Sequence, residues 1–124
     1  MGKFHASKLA AESSVDFVGC TDVDLSKSAG LALEYNITDF ADFESMHGQV
    51  DAVSIAVPTI NHFDVASRFL EAGVAVLLEK PISHDIESAE NLVTLSESKN
   101  VILQIGHSER FNPAFLAIQK GISD

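Results

Sequence analysis

The apolar run at residues 74–78, with the three residues after it, constrains this chain more than any other stretch. Val-Ala-Val-Leu-Leu predicts a strand buried on both faces of a sheet, and Glu79-Lys80-Pro81 follows at once. Pro81 fixes φ and lacks an N–H donor, so it stops the strand. In an open parallel sheet, ligands bind beyond the carboxyl ends of the strands, which puts Lys80 at the mouth of such a site. The alternative is a solvated strand end without function.

This strand belongs to a regular alternation of strands and helices. Apolar runs at residues 15–20, 51–57 and 101–105 predict three more strands, and helical periodicity fills the intervals between them. Such alternation is typical of an α/β domain with a doubly wound parallel sheet and helices on both faces. We predict that architecture here.

Capping residues mark the predicted helix ends in the second half of the chain. Asn61 caps a helix at residues 63–72, and Gly73 ends it. Asn112, with Pro113 at the first helical position, begins the last helix.

The helix after Pro81 is predicted from its periodicity. Ser83 or Asp85 begins it, and Lys99-Asn100 ends it. Its apolar positions are Ile86, Ala89, Leu92 and Val93, while its water-facing positions are Glu87, Glu90 and Glu97.

The first half of the chain predicts a helix at residues 2–12 and another at residues 25–33. A short extended piece at residues 35–37 follows. Thr38-Asp39 would then cap a short helix that contains Phe40, Phe43 and Met46.

Composition limits the classes of function. The chain has 124 residues, enough for one domain with its own core, and a formal charge of −10 that disfavours nucleic-acid binding. No apolar run approaches the ~20 residues of a membrane span, so we expect a cytoplasmic protein without membrane attachment. Cys20, the only cysteine, is interpreted as a small apolar residue without chemistry. We assign no metal site.

Glu79-Lys80-Pro81 after a buried strand, within this alternation, resembles the signature of the glucose-fructose oxidoreductase / inositol dehydrogenase (Gfo/Idh/MocA) family. The resemblance covers essentially the whole chain, as the family's N-terminal Rossmann-like nucleotide-binding domain. It implies an NAD(P)-dependent oxidoreductase acting on a sugar-like substrate. Lys80 would be the catalytic residue, and Glu79 would orient Lys80 or contact a ribose of the cofactor.

The resemblance also implies cofactor-binding residues outside this signature. Asp22 follows the strand at 15–20, where an acid accepts hydrogen bonds from the adenosine ribose and disfavours NADP, so NAD is the expected cofactor. The alternative for Asp22 is a helix-capping role. We assign capping to Asp24 or Ser26, which leaves Asp22 for the ribose.

The loop after residues 51–57 resembles the family's proline-containing loop over the cofactor. We therefore include Pro58, Thr59 and His62 among the cofactor-binding candidates, with a first-turn polar residue as the alternative for His62. Pro81 and Gln104 complete this set.

The chain departs from the family pattern at its beginning. Only Gly2 matches the Gly-x-Gly-x-x-Gly fingerprint, at its third glycine, so the usual first strand is missing. The family's substrate domain is missing as well. We therefore expect residues 1–124 to form a single NAD(P)-binding domain that is inactive by itself.

A missing central strand has consequences for assembly. The strands at 15–20 and 51–57 must pair directly, recruit a strand from a second copy or expose their edges. We expect a homo-oligomer, with direct pairing as the alternative.

Two further possibilities remain open at this point. Residues 106–113 look like those of family members acting on nucleotide-linked amino sugars. A non-catalytic nucleotide sensor or an inactive fragment is the alternative to an enzyme.

Overall fold

The computed structural model describes residues 1–123 as five α-helices and five short strands. Helices α1 to α5 span Gly2–Ala11, Leu25–Tyr35, His62–Glu71, Ile86–Lys99 and Pro113–Ser123. Strands β1 to β5 span Gly19–Cys20, Thr38–Asp39, Ala52–Ile55, Ala75–Leu78 and Leu103–Ile105. Turns of 3₁₀ helix lie at Glu44–Met46, Thr59–Asn61 and Ser108–Phe111. The predicted alternation of strands and helices is confirmed.

The strands form two parallel sheets. One pairs β1 with β2, and the other has the order β3-β4-β5, with Ser54 opposite Leu77 and Leu77 opposite Gln104. Within residues 1–123, β1 and β3 do not pair with each other. The fold therefore does not adopt the direct pairing of the strands predicted at 15–20 and 51–57.

Helices cover both faces of the larger sheet. Successive side chains of β3 point to opposite faces, so Ser54 and Ile55 contact different helices. Ser54 of β3 faces α1, where it contacts His5. Its neighbour Ile55 is 4 % exposed and belongs to the core on the other face, with Phe69 and Leu70 of α3.

The core lies between the β3-β4-β5 sheet and the pair α3 and α4. Its fully buried members come from α3, β4 and α4, and they are Ala66, Leu70, Leu78 and Leu92. Helices α3 and α4 also pack against each other. This half of the molecule is therefore the best-packed part of the fold.

Capping residues in the sequence correctly predicted most helix ends. Asp24 caps α2 by accepting from Ser26 N–H, and Asp85 caps α4 by accepting from Ser88 N–H at 2.7 Å. Gly73 takes φ +79° after α3, a conformation that favours glycine, and Asn100 ends α4 with φ 53°. Asn112 accepts from Ala114 N–H at the start of α5.

The predictions for residues 33–39 were wrong. Helix α2 continues to Tyr35, and Asn36 ends it in the left-handed region with φ 54°. Thr38–Asp39 is a strand rather than a cap, because Thr38 N–H donates to Val18 O at 3.0 Å. Asp42 instead accepts from Ser45 N–H, next to the 3₁₀ turn at Glu44–Met46.

The predicted strands were too long, and β1 shows why. Only Gly19–Cys20 forms a strand within the predicted range 15–20. Pairing there depends on a close approach to β2, since a Cβ atom on Gly19 would meet Thr38 O at 2.5 Å. Such contacts between distant residues leave no local signal.

Two burial predictions and one capping prediction also need correction. Leu77 of β4 is 36 % exposed, so this strand is not buried on both faces. Ile86 of α4 is 77 % exposed, whereas Leu92 is fully buried. Asn61 precedes α3 but makes no side-chain capping hydrogen bond, because the 3₁₀ turn at Thr59–Asn61 leads into the helix.

Candidate functional site

A cavity opens at the carboxyl ends of β3 and β4, where the sequence places the site. Its volume is about 190 Å³, and its lining residues are Met1, Ala56, Val57, Pro58, Thr59, His62, Glu79 and Lys80. Five of the predicted site residues are among them: Pro58, Thr59, His62, Glu79 and Lys80. Two loops that are separate in sequence therefore meet around one space.

The N-terminal end of α1 reaches the same cavity through Met1. Met1, the residue before the helix, lines it and provides no side-chain cap. Free N–H groups and the helix dipole make such an end favourable for a phosphate group. A Cβ atom on Gly2 would have no neighbour within 4 Å, so the backbone is open to approach there.

Glu79 is the most constrained polar side chain of the site. Its Oε1 accepts a hydrogen bond from His5 Nε2 at 2.8 Å, and its Oε2 accepts one from Lys80 N–H at 3.2 Å. Burial opposes its ionisation, but these hydrogen bonds outweigh burial and lower the pKa of Glu79. The group is therefore a carboxylate at neutral pH and a ready acceptor for hydroxyl groups.

Lys80 lies at the rim of the cavity with an exposed side chain. None of the ion pairs formed within residues 1–123 involves its ammonium group. The peptide bond between Lys80 and Pro81 is cis. Lys80 thus offers a positive charge next to the carboxylate of Glu79.

His62 is buried beneath the cavity, and its ring is only a connector in this structure. Its Nδ1 lies 2.8 Å from Pro81 O and its Nε2 lies 3.0 Å from Val57 O, with 1 % of the residue exposed. The ring therefore joins the loop after β3 to the loop after β4. Pro81 takes part in the site through this carbonyl group.

Four predicted site residues do not line the cavity: Gly2 and Pro81 follow lining residues directly, whereas Asp22 and Gln104 belong to other parts of the fold. Asp22 is exposed beyond β1, and its Oδ1 accepts from Asp24 N–H at 2.9 Å. Gln104 is exposed in the middle of β5. A larger cavity of about 640 Å³ between α3 and α4 contains none of the predicted residues.

Sequence reasoning missed His5, Ser54 and Gly106. Ser54 gave a usable signal, because a polar residue inside an apolar strand needs a partner; His5 Nδ1 is that partner, at 2.6 Å. Gly106 lies after β5, where an added Cβ atom would be 3.7 Å from the carboxyl group of Glu79.

Some other site types are not represented in the described chain. Residues 1–123 contain no group of three His, Cys, Asp or Glu side chains placed to hold a metal ion. Over the same residues, no helix combines the length and apolar character needed to cross a bilayer. Burial raises the pKa of the Cys20 thiol, and the negative charges of Asp39 and Asp22 raise it further. A raised pKa disfavours the reactive thiolate.

The parallel strands, the helices between them and the helix terminus next to the cavity are typical of an α/β domain of the Rossmann class. Residues 1–107 match the GFO_IDH_MocA family, an oxidoreductase family with an NAD-binding Rossmann fold. The chain belongs to this family.

Individual relatives agree with that assignment. The UDP-N-acetylglucosamine 3-dehydrogenase of Acidithiobacillus ferrooxidans is 39 % identical over 114 residues, covering 92 % of this chain and 36 % of the relative. GenD2 from gentamicin A biosynthesis, in complex with NAD, superimposes with a TM-score of 0.95 at 26 % identity, over 100 % of this chain and 36 % of GenD2.

A second structure contains both NAD(H) and scyllo-inositol. It is the scyllo-inositol dehydrogenase of Lactobacillus casei with bound NAD(H) and scyllo-inositol, with a TM-score of 0.90 and 28 % identity. The match covers 98 % of this chain and 37 % of that enzyme. The chain thus spans little more than a third of these relatives and corresponds to their cofactor-binding part.

Proposed function

We propose that this chain is the cofactor-binding part of an NAD(P)-dependent oxidoreductase. The reaction would move a hydride between the cofactor and a hydroxyl-bearing carbon of a sugar, a cyclitol or a nucleotide-linked sugar. The observation that carries this proposal is the cavity that Glu79 and Lys80 line together with Met1, the residue before α1. Dehydrogenase relatives with sugar and inositol substrates support it.

The residues fit a dinucleotide by their chemistry. The first turn of α1, open at Gly2, suits phosphate oxygens, and the Glu79 carboxylate suits ribose hydroxyl groups. The bound nicotinamide would supply the hydride chemistry. Pro58 and Thr59 would shape one wall of the site, with Gln104 and Pro81 as further candidates for contact.

Lys80 would act on the substrate. Its ammonium group would hydrogen-bond the oxygen of the hydroxyl that becomes a carbonyl and stabilise negative charge on that oxygen, while the hydroxyl proton would pass to water or another base and the hydride to the cofactor. Glu79 would orient the backbone of Lys80, because its carboxylate accepts a hydrogen bond from the backbone N–H of Lys80.

Ser54, His5 and Glu79 also suggest the Ser-His-acid arrangement of acyl-transfer enzymes. Ser54 lies within β3 and is half-buried next to α1, however. A nucleophilic serine must present its hydroxyl group to a substrate. The dehydrogenase proposal is therefore the better one.

We propose NAD as the preferred cofactor because of Asp22. Its carboxylate would repel the extra phosphate of NADP, and residues 21–26 contain no lysine or arginine to offset it. Lys27, the next basic residue, already pairs with Asp24 at 3.2 Å.

Calorimetric titration of the chain with NAD and NADP tests this proposal. We expect NAD to bind more tightly, with a dissociation constant of about a millimolar, since charge-assisted hydrogen bonds of about 1.5–3 kcal/mol each are missing at the fingerprint loop. The Asp22→Ser variant should narrow the difference between the cofactors. Tighter binding of NADP by the unchanged chain would contradict the role of Asp22.

The role of Lys80 requires a polypeptide that also carries a substrate domain. There, Lys80→Ala should lower kcat far more than it weakens NAD binding, because the ammonium group acts mainly in the transition state. Near-normal turnover would reduce Lys80 to a solvated strand end.

A non-catalytic nucleotide sensor is the second candidate, because the cavity could bind a nucleotide without turnover. A sensor, or an inactive fragment, would show no turnover even in the longest natural polypeptide. We further propose a cytoplasmic location and a homo-oligomeric state, which cell fractionation and light scattering test.

A further inference from the structure

His5 connects three elements that are far apart in the sequence. From its place in α1, its Nδ1 lies 2.6 Å from Ser54 Oγ in β3, and its Nε2 lies 2.8 Å from Glu79 Oε1 after β4. The sequence separations are 49 and 74 residues. Glu79 continues this chain of contacts, since its Oε2 accepts from Lys80 N–H.

The chemistry of the partners fixes where the protons lie. An ionised carboxylate only accepts hydrogen bonds, so His5 Nε2 carries a proton and donates it to Glu79. In the neutral imidazole, Nδ1 is then the acceptor, and Ser54 donates its hydroxyl proton to it. One tautomer therefore satisfies every contact.

Burial protects the contacts of His5 with Ser54 and Glu79 from water. The side chains of His5 and Glu79 are only 19 % and 15 % exposed, which limits competition from water. The next residue of α1, Ala6, is 5 % exposed, so the same turn of the helix packs against the rest of the fold. The charged or titratable groups facing Glu79 are His5 from α1 and its chain neighbour Lys80.

We propose that His5 is a positioning residue that fixes the Glu79 carboxylate relative to α1 and thereby aligns Lys80 with the phosphate-binding turn. Ser54 selects the tautomer of His5 that can donate to Glu79. The consequence for the cofactor rests on the proposed function, whereas the alignment of Glu79 does not.

Nuclear magnetic resonance of the unchanged chain tests the contacts directly. Long-range ¹H–¹⁵N spectra at neutral pH should show His5 protonated at Nε2, with Nδ1 as an acceptor. A proton on Nδ1 alone would overturn the proposal. This measurement needs no variant and no bound cofactor.

Two amide substitutions separate the contacts of His5. Glutamine places its amide near the position of Nε2, so His5→Gln retains the donor to Glu79. Asparagine places its amide near Nδ1, so His5→Asn retains only the contact with Ser54. In carboxyl ¹³C titrations, the pKa of Glu79 should rise in His5→Asn and stay lowered in His5→Gln. Equal titration curves for the two variants would overturn the proposal.

NAD affinity gives a readout that a merely structural role would not move. Loss of one charge-assisted hydrogen bond should weaken NAD binding about tenfold in His5→Asn, with His5→Gln close to the unchanged chain. Equal affinities in two variants of equal melting temperature would contradict the alignment role. If the unchanged chain binds no NAD, the proposed function fails, while the titration of Glu79 still decides the role of His5.

Discussion

The buried ring of His62 joins two loops across 19 residues of sequence, and its removal should be costly. His62→Ala would remove the ring that lies between the carbonyl groups of Pro81 and Val57, would leave at least one of them without its hydrogen-bond donor and would open a void. We expect the free energy of unfolding to fall by about 2–4 kcal/mol. Urea denaturation measures it.

His84 offers a matched control, because its side chain is 51 % exposed. We expect His84→Ala to change the free energy of unfolding by no more than about 0.5 kcal/mol. If His62→Ala were equally mild, the ring would not be holding the two loops together.

Glu79 should make the stability depend on pH in the acid range. Its folded pKa is lowered, so its contribution is complete above the unfolded value of about 4.3 and is lost as the pH falls through the folded value. Glu79→Gln imitates the protonated form. The difference in melting temperature between the chain and this variant should therefore shrink as the pH falls below 4.3, and a constant difference would contradict the contacts with His5 and Lys80.

Among the helices, α4 tests which side chains hold an element in place. Leu92 is fully buried, whereas Ile86 is 77 % exposed although both fit the same helical period. Leu92→Ala should lower the free energy of unfolding by about 2–5 kcal/mol. Ile86→Ala should stay within about 0.5 kcal/mol, and a larger loss would mean that Ile86 has a partner.

The helices could be predicted from the sequence better than the strands. Asp24, Asp85 and Asn100 act on residues within one helical turn, so their roles follow from local order. The strand at Thr38–Asp39 depends on its pairing with β1, which no local pattern encodes.

The site shows the same division between local and distant contacts. Glu79 and Lys80 could be found because a charged pair follows an apolar strand directly. His5 could not, since its partners lie 49 and 74 residues away. That His62 would be buried likewise followed only from the fold.

For the molecule as a whole, the two separate sheets predict self-association. Ala75 N–H donates to Asp51 O and Glu79 N–H donates to Ile55 O, so the alternate residues Ala52 and Ser54 of β3 direct their backbone groups away from β4. An unpaired edge is a template for another chain. Light scattering at micromolar concentration should show an oligomer.

Ala52 provides a variant that blocks this edge. Its N–H lies on the unpaired side of β3, so Ala52→Pro removes an edge donor without breaking a bond to β4. This variant should be monomeric. A monomeric unchanged chain would rule out association through β3.

We expect the separation of the sheets to let the β1-β2 pair and the β3-β4-β5 sheet open as two units, although Val18 and Phe40 contact the common core. Residues of β4 and α4 are tightly packed, whereas Thr38 and Asp39 of β2 are exposed. Hydrogen exchange should therefore be much faster at the amides of Thr38 and Phe40 than at those of Val76 and Glu79. Equal exchange free energies would show a single unit.

A ligand that contacts both Asp22, beyond β1, and Glu79, beyond β4, would tie the two units together. Each unit could then open only by losing that ligand, so binding should slow exchange at Thr38 more than at Val76, whose amide already exchanges slowly. The amide of Thr38, outside the cavity itself, would report on the bound cofactor.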